Sequence, residues 1–249
     1  MTRSAGQKAQ DDVTALLRAR NPLLWIVTRE EARVETAIIE AAGAAGYSTR
    51  LWDCATGVSD ASGAAVDVGQ TDPAEVVRTI RDAKARQVWI LRDLPPWLRD
   101  AGVTRAVRSL VKALPSAPKP EARTVVILTP SAEVPPELAG HAIVIDWPMP
   151  DRAEVAEILD GMVESLPPEI ERPTNGVRDA AIDAAVGLTA EEVQSCISKA
   201  LVTSRRVDPA AIGREKRRVV NASKVLEWYE PDPRGLDAVG GGWTSSRRG

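Results

Sequence analysis

The sequence predicts an α/β fold: a five-stranded parallel sheet with helices on both faces, followed by a small helical unit. Two observations carry that expectation. Five short apolar runs, LLWIVT (23–28), STRLWD (48–53), RQVWILRD (86–93), ARTVVILT (122–129) and AIVIDW (142–147), are separated by helical spacing or long connections. Runs of that length with little alternation suit strands buried on both faces, and parallel strands need such crossovers. From Pro148 onward the pattern turns wholly helical. The resulting division is an N-terminal helix (1–20), an α/β domain (21–148), a helical domain (149–230) and a linker with a disordered tail (231–249).

The elements follow in order. DVTALLRA (12–19) has helical spacing and Asn21-Pro22 breaks it. After the first strand, Val34, Ala37, Ile38 and Ala41 share a helical face that ends near Gly43 and Gly46. The second strand runs into a Gly/Ser/Asp-rich loop, Gly57 to Gly69. Asp72, a capping residue before Pro73, opens a helix over 73–85. Pro95-Pro96 marks the exit from the third strand, and Val103, Val107, Leu110 and Leu114 align on a helix over 99–114. Proline-rich loops flank the fourth strand. Beyond Pro148, residues 151–165, 177–186, 189–204 and 208–228 read as helices, with Thr189 and Glu192 spaced as a capping box.

Composition excludes several functions. The 249 residues carry a net charge of −3, so no strong field favours nucleic acid or an anionic membrane. No apolar run approaches the roughly 20 residues of a membrane span. The polar start lacks a signal core, which with two widely spaced cysteines points to a reducing cytoplasm. Cys54 and Cys196 read as small core fillers. A single histidine, His141, leaves no imidazole-based triad or zinc site and reads as a loop residue. Trp25, Trp89 and Trp147 fall in strands and read as core, Trp97 as half-buried, and Arg214–Arg218 as a solvated helix face.

Five strands followed by a helical appendage resemble AAA+ ATPases. IVIDWPMPDRAEVAEIL is similar to that family's last strand and first lid helix, and AVGLTAEEVQSCISKAL to a later pair of lid helices. A narrower resemblance is carried by RARNPLLWIVTREEARVE (18–35), VWILRDLPPWL (88–98), TVVILTPSAEVPPEL (124–138), IVIDWPMPD (143–151) and VVNASKVLEWYEPDPRGLDAVGG (219–241). These segments resemble the AAA ATPases encoded by a conserved hypothetical reading frame of chloroplasts and cyanobacteria, which has bacterial relatives. In that family a degenerate AAA-like domain precedes an active one, and this sequence covers only the former.

The resemblance implies where a nucleotide would sit. A phosphate-binding loop needs glycines, a lysine and a Ser or Thr. After the first strand stand Thr28-Arg29-Glu30-Glu31 instead, with two carboxylates and too few residues. Asp93 falls at the magnesium-organising position, but leucine replaces the water-activating acid after it. Thr129 falls at a polar sensor position, and AGHAIVI lacks a trans-acting arginine. Thr28, Asp93 and Thr129 are therefore vestigial nucleotide-site positions with a capping role as the simpler reading. The implication is no cofactor for this chain, Mg-ATP for a missing downstream domain, and as partner that AAA domain or another copy of the chain, without nucleic acid or membrane.

Two rival readings stay open. Asp53, Asp93 and Asp146 each end a strand, where ligands of open α/β sheets bind, and could hold a divalent metal for a phosphoryl hydrolase. The chain could also be a free-standing protein-binding adaptor. Finally, LDAVGG opens the active domain in the resembled family, and GWTSSRRG can be back-translated so that the neighbouring frame reads Leu-Asp-Glu-Leu-Lys-Ala. The tail is expected to be a frame-shifted reading of a longer gene.

Overall fold

The computed structural model describes residues 3–167 and 170–222. Helix α1 (Ala5–Arg18) leads into strand β1 (Leu23–Val27), helix α2 (Glu31–Ala44) and strand β2 (Ser48–Asp53). Strands β3 (Gly57–Asp60) and β4 (Ala65–Asp67) follow, then helix α3 (Pro73–Asp82) and strand β5 (Gln87–Arg92). Helix α4 (Ala101–Ala113), strand β6 (Arg123–Thr129), the single turn α5 (Pro136–Ala139) and strand β7 (Ile143–Asp146) complete the α/β unit. Helices α6 (Arg152–Glu164), α7 (Asn175–Ala185), α8 (Ala190–Ser204) and α9 (Pro209–Ala222) form the helical unit.

The sheet order is β4-β3-β2-β5-β6-β1-β7. The five expected strands are mutually parallel, with Trp25 opposite both Ile127 of β6 and Val144 of β7. The sheet is nonetheless mixed, which corrects the sequence reading: the expected loop 57–69 contributes an antiparallel hairpin beside β2, pairing Trp52 with Val58 and Asp53 with Gly57. Its few apolar residues hid it, since β4 is exposed throughout. Gly57 makes the tight return possible at φ +76°, and any Cβ there would run into the Asp67 carbonyl.

Alternation along β1 sorts the core into two layers. Leu23 and Trp25 pack with Trp52, Trp89, Ile80, Val107 and Leu110 beneath α3 and α4. Leu24 and Ile26 pack with Ile38, Ile90, Leu128, Val13 and Leu17 beneath α1 and α2. Helix α1 starts earlier than the expected 12–19 because Ser4 and Gln7 form a capping box. Trp25, Trp89 and Trp147 are core residues, whereas Trp97 is 43% exposed. Cys196 is buried but Cys54 is exposed, in the turn after β2, so only one thiol fills core. The helical unit has its own core of Val155, Leu159, Ile182, Leu188, Val193 and Ile197. The α9 run is less uniformly solvated than expected: Lys216 turns inward to donate to the Val186 carbonyl at 2.5 Å, and burial pulls its ammonium below the usual lysine range. The tail reading falls on residues outside those described.

Candidate functional site

The carboxyl ends of β1, β5 and β6 bring Thr28, Asp93 and Thr129 to one cavity of about 330 Å³, shared with Arg29, Glu31, Leu128 and Pro130. Each of the three is engaged locally. Thr28 donates its amide to the Thr129 carbonyl at 2.9 Å, and its hydroxyl accepts from the Glu30 amide at 2.9 Å. The Thr129 hydroxyl accepts from the Ser131 amide at 3.2 Å. Asp93 donates its amide to the Leu128 carbonyl and adopts a left-handed φ of 48°, a conformation that aspartate tolerates at a strand exit.

Beside this cavity stands a charge cluster that the sequence pattern did not reveal. Arg92, the last residue of β5, donates to both Glu35 carboxylate oxygens at 2.7 and 2.9 Å and to Asp53 at 3.2 Å. The Glu35 contacts, with other carboxylates behind them, raise the guanidinium above its usual range against the opposing effect of burial. Burial works against the Asp53 carboxylate, but the Thr56 hydroxyl and amide, the Ala55 amide and Arg92 together hold it below the usual range. Glu31 is pushed the other way, by burial first; Arg92 opposes this, while Asp93, Glu35 and Asp53 add to it. The signal available in sequence was an arginine ending an otherwise apolar strand.

The Asp53, Asp93 and Asp146 trio is not gathered. Two strands lie between β7 and β5, which places Asp146 and Asp93 about 14 Å apart at ordinary strand spacing. Asp53 is committed to Arg92 and its own turn. Among the described residues no group of three His, Cys, Asp or Glu side chains could hold a metal ion.

Where a phosphate loop would lie, three residues, Thr28 to Glu30, connect β1 to α2. The Glu30 side chain is only 4% exposed. Its Oε1 accepts from the Ala190 amide at the start of α8 at 2.6 Å, and its Oε2 from Arg33 at 2.5 Å. Arg33 also donates to the Pro148 carbonyl at 2.7 Å and to Glu154 of α6 at 3.3 Å. Nearby, one carboxylate serves two helix starts: Asp151 caps α6 through Ala153 and Glu154 and accepts from the Ala5 amide of α1 at 2.7 Å. Burial opposes its ionisation, but the Ala5, Glu154 and Ala153 amides hold it below the usual range. The two units are thus joined by carboxylates seated on helix N-termini.

Residues 9–147 match the N-terminal domain of SpoVK-like AAA ATPases, and residues 153–223 match the second domain of the same family. The chain belongs to the SpoVK-like AAA ATPase family. Its relatives include the uncharacterised AAA domain-containing protein ycf46 of Guillardia theta, 26% identical over 231 residues, covering 88% of this chain and 43% of that protein. The ycf46 protein of Trieres chinensis is 24% identical over 240 residues, covering 94% of this chain and 46% of that protein. The chain therefore spans less than half the length of these relatives. Among solved structures, the FIGL-1 AAA domain in complex with ADP aligns with a TM-score of 0.56 at 14% identity, over 93% of this chain and 84% of that one. C. elegans PCH-2 aligns with a TM-score of 0.51 at 8% identity, over 88% of this chain and 66% of that one. These likenesses agree with the AAA+-like fold expected from the resemblance in sequence. Among the described residues no helix is long and apolar enough to cross a membrane.

Proposed function

We propose that this chain is a non-catalytic AAA+-like module that regulates or helps assemble an ATPase whose hydrolysing site lies in another AAA domain. The observation that carries this reading is the β1–α2 connection. It has three residues, no glycine to expose a run of amides, and a buried carboxylate where a phosphate would need donors. Glu30 and Glu31 would repel an incoming polyphosphate, and Arg92 is already committed to Glu35 and Asp53. The Thr28 and Thr129 hydroxyls serve the turns that follow them, with Mg-ATP belonging to the partner AAA domain of a longer protein or assembly. That partner, or a second copy of this chain, is what the module contacts, in the cytoplasm.

Thermal unfolding of the 249-residue chain with Mg-ATP, Mg-ADP or magnesium alone tests the proposal, because a ligand that does not bind the folded state cannot raise its melting temperature. The expected result is no shift with any of the three and no phosphate release. A saturable rise with either nucleotide overturns it.

A further inference from the structure

Glu30 sits at the N-cap of α2 yet its side chain caps none of that helix's backbone amides, and its φ of −111° and ψ of 62° lie outside the usual capping conformation. Its carboxylate is turned instead toward a helix 160 residues away. Helix α8 satisfies two of its starting amides internally: the Glu192 amide donates to the Thr189 hydroxyl and the Thr189 amide donates to the Glu192 carboxylate. The Ala190 amide is left over, and Glu30 takes it. On the other side of the same carboxylate lies Arg33, whose Nε is buried without a partner.

A helix N-terminus facing an arginine has two features of an anion-binding site, an amide at the positive end of a helix and a cation beside it; here Arg33 also pairs with Glu154, and the contact lines a cavity of about 560 Å³ shared with Glu157 and Glu191. We propose that it is one, and that Glu30 is its tethered ligand. The helical unit supplies the Ala190 amide, the α/β unit supplies Arg33, and the carboxylate between them holds the units together without a diffusible anion. The inference deepens the function proposed above, since a seat filled by the chain's own carboxylate is closed to phosphate. Deleting that carboxylate should open the seat to small anions such as formate or inorganic phosphate.

Two substitutions isolate the contact. Glu30→Ala removes the ligand. Ala190→Pro removes the donor and puts its ring Cδ where the amide hydrogen met the Glu30 carboxylate: position 190 opens α8, where proline is favoured, and Thr189 already has the extended backbone that a following proline requires, at φ −66° and ψ 160°. In the 249-residue chain Ala190→Pro is expected to melt roughly 3–8 °C lower, the loss of one charge-assisted hydrogen bond spread over a chain of this size, and Glu30→Ala, which also loses the Arg33 contact, at least as much lower. The double variant should melt no lower than Glu30→Ala alone, because the bond can be lost only once. Sodium formate or phosphate, compared with chloride at equal ionic strength, should raise the melting temperature of Glu30→Ala saturably. Wild type and the double variant should not respond.

Additive losses, or an equal response of wild type and variant to formate, overturn the tether and leave the proposed function standing. A nucleotide response in wild type overturns that function and leaves the tether standing. Should Glu30→Ala fail to fold, Glu30→Gln carries the same cycle: it keeps an acceptor for Ala190 but loses the charge, and must still couple to Ala190→Pro.

Discussion

Replacing Arg92 with methionine keeps most of the side-chain volume and removes the charge that organises the strand-end cluster. Arg92, Glu35 and Asp53 are 25%, 17% and 20% exposed, so the pairs are largely but not fully shielded from solvent. Asp53 keeps its Ala55 and Thr56 donors after the change, whereas Glu35 loses both contacts from Arg92. The cost is therefore dominated by one carboxylate left without its cation and by repulsion from Glu31, in all about 2–3 kcal/mol at neutral pH. For a chain of this length that is a fall of about 2–4 °C in melting temperature per kcal/mol. The assay is urea unfolding followed by circular dichroism at pH 7 and at stepped pH values down to 3. Arg92 is one of the groups that hold the Asp53 carboxylate down in the folded state, after the Thr56 and Ala55 donors that the variant keeps, and the sign of the pH effect follows from that share. Its contribution is fully present above the unfolded value of about 3.9 and is lost as pH falls through the lower folded value. The gap between wild type and Arg92→Met should therefore narrow below about pH 4. A loss under about 0.5 kcal/mol at pH 7, the range of surface substitutions, or a gap that stays constant down to pH 3, would refute the reasoning.

Two further substitutions probe neighbouring features. Gly57→Ala should cost about 1–3 kcal/mol, from a left-handed backbone and contact with the Asp67 carbonyl; amide exchange should accelerate in β3 and β4, and unchanged exchange there would contradict the hairpin. Glu31→Gln should give a small rise in melting temperature at pH 7. Burial holds the Glu31 carboxyl above its usual range, so its charge is a penalty above the folded value that disappears below the unfolded one. The rise should vanish below about pH 4, and a fall at pH 7 would contradict this account.

The strands were legible because LLWIV, QVWILR and RTVVILT are buried on both faces, which leaves an almost uninterrupted apolar signal. The caps at Asp72 and Thr189 were legible because their chemistry is local. The hairpin was not, since β4 buries nothing and its register depends on Gly57 meeting a backbone 10 residues further on. Of the candidate site, the gathering of Thr28, Asp93 and Thr129 followed from their shared place at strand ends. The role of Glu30 could not be read in the same way. A glutamate at a helix start looks like an ordinary favourable dipole partner, and only the fold brings Ala190 to it.

Asp151 sets an order of events during synthesis. The amide of Ala5 finds its acceptor 146 residues later in the chain, so the start of α1 leaves the ribosome long before the carboxylate that completes it. At about 5–20 residues per second the wait is on the order of ten seconds. Until then α1 has only its own Ser4 and Gln7 cap to hold its first turn. Once α6 begins, the same carboxylate caps that helix and completes the first turn of α1, whose later turns pack through Val13 and Leu17 on elements made earlier.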